Sequence, residues 1–150
     1  MAASTALGLM PSLQAGLGYG LPNIGDLYTM ASLDLSSRAG LTAHAGGGQA
    51  AATPLTAYIN EVSVVATIAD SVVLPLGLPG MSVVLINDAA LACQVFGQAN
   101  NPNTGVGDTI APHGSAAQAA TATGVAQAGA GLCAIYFCFA PGQWKQMYSA

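Results

Sequence analysis

Short apolar runs separated by turn residues fill the chain from Pro54 onward, and they constrain its fold more than any other feature. Runs of this length, rich in Val, Ile and aromatic residues, are typical of β-strands, because helices need longer periodic segments. About seven such strands suffice for a small sandwich or barrel. We therefore predict an all-β fold, a small antiparallel β-sandwich or barrel, with strands within residues 59–67, 71–74, 81–86, 90–96, 108–110, 132–139 and 144–148.

Three turn signals divide these runs. Residues 78–81, Leu-Pro-Gly-Met, place Pro second and Gly third, as a type II turn requires. Residues 140–143, Ala-Pro-Gly-Gln, contain a second Pro-Gly pair and predict a hairpin between the last two strands. Asn87 and Asp88 both tolerate a left-handed backbone, so we also predict a tight connection between two strands at that point.

The first 53 residues lack this pattern of short runs. Residues 1–25 mix isolated Leu with Gly and Pro in no clear period, and residues 43–53 are nearly all Ala, Gly and Gln. Such compositions indicate an extended arm and a flexible connector. Residues 26–35 could form a short strand or one or two helical turns, because their apolar residues fit both periods poorly. The sequence therefore predicts an arm and connector at 1–53 and a β domain at 54–150.

The low charge of the chain indicates that other subunits cover part of its surface. Hydrophobic residues make up 53% of the chain and charged residues only 5%, against about a quarter charged in an ordinary globular protein. Buried interfaces are depleted of charge. Residues 132–139 are apolar on both faces of the predicted strand, so this strand is central or its outer face is covered by a neighbour. The candidate core or oligomer residues are Ile135, Tyr136, Phe137, Phe139 and Trp144.

Membrane and nucleic-acid partners are not expected. Residues 62–86 are long enough to cross a bilayer with Asp70 as their only charge, but two Pro and two Gly at 75–80 would break a helix and leave backbone groups unpaired in lipid. No Lys or Arg precedes the apolar residues of positions 1–20, which argues against a secretory signal. The net charge is −4 and the only Lys and Arg are Arg38 and Lys145, too few to neutralise several phosphates.

The titratable residues form no catalytic pattern, so we expect no enzyme, no cofactor and no metal. Acid–base catalysis needs paired carboxylates or a His beside a nucleophile, whereas the six acidic residues are scattered, mostly beside turns where Asp caps backbone amides. His44 and His113 lie beside Gly-rich segments and are interpreted as ordinary loop imidazoles, with a metal on a threefold axis as the alternative. The glycines at 16–20 and 46–48 lack the Lys-Ser/Thr of a phosphate loop, which favours flexible or close-packed backbone.

The cysteines and the last aromatic residues have simple interpretations. Cys93, Cys133 and Cys138 are odd in number and lack metal-ligand spacing. Cys133 and Cys138 are five positions apart, which places them on opposite faces of one strand, so we expect buried thiols in a reducing cytoplasm. Trp144 and Tyr148 share a strand face, where they could stack on a sugar, but closing a small core is the favoured interpretation.

Several short motifs, in order, resemble a known family. They are residues 69–72 (Ala-Asp-Ser-Val), 79–81 (Pro-Gly-Met), 94–96 (Gln-Val-Phe), 107–110 (Gly-Asp-Thr-Ile) and a closing Gly-Gln-Trp at 142–144. Residues 41–150 are similar to the small virion-associated proteins of tailed phages and prophages, whose β module occurs in capsid decoration, head-fibre and tail-fibre proteins. The resemblance implies a multimeric surface protein without catalytic residues. The first forty residues lack a match, and the loop at 98–107 is longer than the usual module has.

Together these observations predict a capsid decoration or cement protein, a homotrimer on the outer head surface of a virion assembled in the host cytoplasm. Its other partner would be the major capsid protein. The arm's apolar residues, spaced by Gly and Pro, could enter grooves on that partner. The alternative is a tail-fibre or head-fibre module in which residues 98–107 and Trp144 bind a host receptor or glycan. The candidate capsid contacts are Leu7, Leu9, Met10, Leu13, Leu17 and Leu21.

Overall fold

The computed structural model describes residues 36–148. The chain divides between Leu35 and Ser36, and the described residues belong to the second unit. Residues 26–35, for which the sequence left strand and helix open, lie outside the described part. The regular elements of residues 36–148 are all strands. This part of the chain contains no helix that is long and apolar enough to cross a membrane.

Ten strands follow one another within residues 36–148. They are β1 (Ser37–Thr42), β2 (Thr53–Pro54), β3 (Ile59–Val64), β4 (Ser71–Val73), β5 (Ser82–Asn87), β6 (Cys93–Phe96), β7 (Thr109–Ala111), β8 (Val125–Gln127), β9 (Leu132–Ala140) and β10 (Gln143–Tyr148). Each of the seven strands predicted from the sequence is present with slightly different ends, whereas β1, β2 and β8 were not predicted.

The strands form two sheets. The large sheet has the order β1-β3-β5-β9-β10-β7, and the small sheet has the order β2-β4-β6-β8. Successive strands from β1 to β6 alternate between the sheets, so the chain winds through three coils. Within each sheet, the strands of successive coils pair in parallel. Parallel neighbours need a long crossover, and here the strand in the opposite sheet supplies it. Strands β5, β9 and β10 are antiparallel neighbours.

The core lies between the two sheets. Alternate residues of the large sheet, such as Val62, Leu85 and Tyr136, meet Val72 and Val95 of the small sheet in one cluster of buried side chains. The period of two in a strand directs every second residue inward. The burial of β5 follows this period, because Val83, Leu85 and Asn87 are buried while the residues between them are partly exposed.

Buried amides and a tyrosine join the sheets at one side of the core. Tyr136 of β9 donates its hydroxyl to Gln127 Oε1 of β8 at 3.1 Å and accepts from Gln146 Nε2 of β10 at 2.8 Å. Gln146 also donates to the carbonyl of Ala126 at 3.0 Å. Burial raises the pKa of Tyr136 well above its ordinary value. This network satisfies groups that would otherwise be costly to bury.

The all-β fold is confirmed, with one correction to its detail. The sheets are mixed rather than antiparallel, because strands of three to six residues separated by long connections pair in parallel across the coils. The turn at 78–81 is confirmed by the bond from Met81 N–H to the Leu78 carbonyl and by the positive φ of Gly80. The hairpin at 140–143 is also confirmed, since β9 and β10 pair as antiparallel neighbours across it.

Two boundaries differ from the sequence-based expectation. Asn87 and Asp88 do not form a tight connection, because the Asn87 amide turns inward and donates to the Leu91 and Gln127 carbonyls while the chain crosses to the small sheet. The β domain begins at residue 36 rather than 54, because β1 pairs with β3, Ala43 is buried in the main core, and Ala52 packs against Val73 and Phe96 of the small sheet. Residues 43–53 therefore belong to the folded domain instead of forming a flexible connector.

Candidate functional site: the outer face of the large sheet

The side of the large sheet that points away from the core carries mostly apolar side chains. We call this side the outer face. In β9 the inward residues Ala134, Tyr136 and Cys138 are fully buried, whereas Ile135 and Phe137 alternate with them and are exposed. This alternation is the strand period, so β9 has one apolar face in the core and another outside. Of the two interpretations made from the sequence for this strand, the central position is confirmed, since β5 and β10 flank β9.

The strand register arranges the outer face in three rows across the sheet. The middle row contains Ile59, Val84, Ile135 and Met147 on β3, β5, β9 and β10. One flanking row contains Glu61, Ile86 and Cys133. The other flanking row contains Ser82, Phe137 and Lys145.

Several outer-face side chains are too exposed for residues of their size and polarity. Ile135 is 40% exposed, Phe137 38%, Phe139 51% and Met147 43%. Single exposed apolar residues are normal on a protein surface, but contiguous exposed patches mark interaction sites. Because these side chains adjoin across paired strands, the outer face is such a patch.

The five residues predicted for the core or for an oligomer divide into two groups. Tyr136 and Trp144 point inward and are completely buried. Ile135, Phe137 and Phe139 belong to the outer face. The sequence therefore found the right strand but could not assign its two faces. Ile59, Val84 and Ile86 were not singled out as surface candidates, because their position beside β9 depends on strand order.

The small sheet also has apolar residues on its outer side, but residues 46–52, which we call the covering loop, pack against them. Val73 and Phe96 point away from the main core and form a second cluster with Ala52. They are only 9% and 7% exposed. Gln49 Nε2 ties the loop down by donating to the carbonyls of Gly97 at 2.8 Å and Thr121 at 3.0 Å.

Two glycines and an aspartate hold the covering loop close to the small sheet. A Cβ on Gly47 would lie 2.3 Å from the Ala69 carbonyl oxygen, so the backbone approaches here as only glycine allows. Gly48 accepts a bond from the Ser71 hydroxyl at 3.1 Å. Asp70 accepts from the Gly46 N–H and from the Ala66 and Thr67 amides. The glycines at 46–48 are therefore close-packed backbone, one of the two interpretations made from the sequence.

Only two charged side chains belong to the outer face. Glu61 makes no hydrogen bond or ion pair with other described residues, and it is partly buried among its neighbours. Lys145 donates its Nζ to the carbonyls of Ser115 and Pro112 beside β7. By the register of the sheet, the two residues lie in opposite flanking rows and on opposite sides of β5 and β9. The face therefore carries one acid and one base at diagonally opposite corners.

Trp144 is part of a buried polar cluster and cannot stack on a ligand. Its indole Nε1 donates to Asp108 Oδ2 at 3.4 Å, and the same carboxylate accepts from Gly77 N–H at 2.8 Å and from Asn101 Nδ2 at 2.7 Å. Trp144 is completely buried. The prediction that Trp144 forms part of a glycan site is therefore wrong, and the core interpretation of this residue is correct. Asn101 instead fixes the loop at 98–107.

The remaining candidate groups have structural surroundings. Cys93, Cys133 and Cys138 are all free thiols. Burial raises the pKa of Cys93 to about 12 and raises that of Cys138 as well. Cys133, on the outer face, is only partly buried rather than buried as expected. His113 packs edge-on against Tyr148 with ring centroids 5.2 Å apart. In residues 36–148, no three His, Cys, Asp or Glu side chains group as metal ligands would.

Comparisons of the chain with protein-family models, with curated proteins and with solved structures found no match. The resemblance to virion-associated proteins of tailed phages therefore stays a prediction from the order of short motifs. The predicted capsid contacts lie outside the described residues. They are Leu7, Leu9, Met10, Leu13, Leu17 and Leu21.

Proposed function

We propose that this protein is a non-enzymatic structural subunit that works as part of a larger assembly. One observation carries the proposal: the outer face is apolar and exposed, with no cover among residues 36–148, although a loop of the same domain covers apolar residues on the outer side of the small sheet. A side chain such as Phe137 contributes about 1.5–3 kcal/mol when fully buried. A partner that buries the outer face therefore gains favourable binding free energy.

The assembly we propose is a tailed-phage virion, in which the protein decorates and stabilises the outer surface of the head. The motif order in residues 69–144 supports this setting, as does the low charge of the chain, only 5% of residues. The major capsid protein would be the partner of the apolar residues at 7–21. The number of copies remains a prediction, and the sequence-based expectation is three.

Binding to purified heads tests the proposal. Heads lacking the protein are incubated with the full chain or with a chain lacking residues 1–25, and bound protein is measured after the heads are pelleted. We expect the full chain to bind in many copies and to raise the temperature at which heads release DNA, because many weak contacts act together. The shortened chain should remain folded and unbound. Equal binding by both chains would remove the arm from the proposal, and no binding by either would reject decoration.

A second candidate function is supported by the loop at 98–107. Asn101 anchors this loop to Asp108, while Asn100, Asn103 and Val106 at its surface are exposed. A rigid, exposed polar loop suits recognition of a host receptor or glycan, as in a fibre module. Saturable binding of the isolated protein to host cells, lost when Asn100 and Asn103 become Ala, would favour this function over decoration.

A further inference from the structure

We infer that the outer face is the docking site for a second copy of this chain. The inference deepens the proposed function and rests on it for the setting in which copies meet, but its test needs only the purified protein.

The charges of the outer face favour a copy of itself over a partner of opposite charge. The face carries one acid, Glu61, and one base, Lys145, so its net charge is zero and an acidic or basic partner finds nothing to match. A second copy supplies each charge with its counterpart. Glu61, which pairs with no other described residue, gains a cation in this way.

The register of the sheet defines a symmetric way to make these pairs. Glu61 and Lys145 lie at opposite corners around the middle row that contains Val84 and Ile135. Two copies can face each other through their outer faces. A twofold axis that lies in the plane between them, perpendicular to the line from Glu61 to Lys145, places each Glu61 opposite the Lys145 of the other copy. The same patch serves both copies, as in isologous dimers. The strands of the two copies then cross near a right angle, one of the two common packings of sheets.

The size of the face predicts how tightly two copies bind. Four strands about 4.8 Å apart, with residues about 3.4 Å apart along each, give a flat footprint of roughly 20 Å by 20 Å. That is roughly 400 Å² per copy, below the roughly 800 Å² per partner of a standard interface. We therefore expect a weak, concentration-dependent dimer, which becomes persistent where many copies are held close together on a particle.

Sedimentation of the full chain over a range of concentrations tests the contact. We expect a reversible monomer–dimer equilibrium, because a twofold contact pairs copies two at a time. This result would replace the trimer expected from the sequence. Ile135→Lys, which puts a charge in the middle row, should raise the dimer dissociation constant about tenfold or more. Ile68→Lys is the matched control, because Ile68 is 65% exposed in the turn before β4 and lies off the outer face. It should leave the dissociation constant within about twofold of the original.

Charge reversal and thiol cross-linking test the orientation. Glu61→Lys alone and Lys145→Glu alone should each weaken self-association, and mixing the two variants should restore it, because the mixed pair again matches opposite charges. Lys145→Glu also removes bonds to loop carbonyls, so its fold is checked by circular dichroism. Independently, a short bis-maleimide should link two original chains through Cys133, near the twofold axis. The link should disappear in Ile135→Lys and in Cys133→Ser and persist in Ile68→Lys.

Three results would overturn the inference. The first is a dimer or trimer whose dissociation constant does not change in Ile135→Lys. The second is a chain that stays monomeric at all concentrations and whose Cys133 reacts with maleimide. The third is a monomer in which another part of the same chain shields Cys133. The proposed function fails separately. If copies associate through the outer face but do not bind heads, decoration is rejected and the docking site stands. If the protein binds heads but Ile135→Lys has the same mass in solution as the original chain, the docking site is rejected and decoration stands.

Discussion

The two sheets of this domain present apolar residues on their outer sides, yet the described residues cover only those of the small sheet. On the small sheet, Val73 and Phe96 lie beneath the covering loop, which Gln49 and Gly47 hold in place. On the large sheet, Ile135 and Phe137 have no such cover among the described residues. The difference teaches that the chain can shield an outer side from water. This contrast is the basis on which we propose that the outer face is a contact surface for another molecule.

Phenylalanines on the two sides give the sharpest test of this comparison. Phe96→Ala should lower the free energy of unfolding by about 3 kcal/mol, because it empties a covered site. Phe137→Ala should lower it by about 1 kcal/mol or less, because that side chain is already half in water. Urea unfolding at low protein concentration, where self-association does not contribute, measures both. Equal losses would mean that the two outer sides do not differ in cover.

Substitutions of two glycines test whether the close approach of the covering loop to Ala69 holds the loop in place. Gly47→Ala should destabilise the domain by about 2 kcal/mol, because the new Cβ meets the Ala69 carbonyl and φ is positive there. Gly46→Ala has a positive φ but open space around the Cβ, so only about 1 kcal/mol should be lost. Thermal unfolding of both variants provides the comparison. A Gly47→Ala chain as stable as Gly46→Ala would show that the loop can move away freely.

Glutamines on the two outer sides provide a smaller contrast. Gln49→Ala removes the donor to two carbonyls and should cost about 1 kcal/mol. Gln143→Ala, at an exposed position of β10 whose side chain bonds to no described residue, should change stability by less than about 0.5 kcal/mol. Chemical denaturation of the two variants side by side measures the difference. A neutral Gln49→Ala would mean that apolar contacts alone fix the covering loop.

Acid should weaken the covering loop, and we expect this effect to be the smallest. Hydrogen bonds, led by the Thr67 hydroxyl, hold the pKa of Asp70 below its ordinary value of 3.8. Because folding lowers this pKa, the ionised carboxylate stabilises the folded state. This stabilisation is complete above pH 3.8 and is lost as the pH falls through the lower pKa of the folded protein. Unfolding curves above and below pH 3.8 should show this loss, and Asp70→Asn should show a smaller dependence. The same acid dependence in the variant would assign the effect to other carboxylates.

The sequence predicted the strands better than their arrangement. Apolar runs and Pro-Gly turns located seven of the ten strands, since both signals are local. β8 escaped because Val125 is the only large apolar residue between Ile110 and Leu132. β1 escaped because Leu41 is its only buried residue. Parallel pairing depends on contacts between distant segments, which a local pattern does not contain.

The candidate site was predicted in part for the same reason. Two apolar faces on residues 132–139 indicated either a central strand or a strand whose outer face a neighbour covers, and β9 is central. Which residues face outward depends on where the strand alternation begins, so Tyr136 and Trp144 could not be separated from Ile135 and Phe137. The neighbours of β9 on the outer face, Glu61 among them, follow from the register alone.

The buried cluster around Asp108 also gives the protein an internal optical reporter. Trp144 is the only tryptophan of the chain, and its indole donates to a carboxylate away from water. Its fluorescence therefore originates from one place, where the loop at 98–107, the turn before β5 and the last hairpin meet. Loss of that junction exposes the ring and shifts its emission to longer wavelengths, while docking at the outer face leaves it unchanged. A single signal thus separates unfolding from association without any added dye.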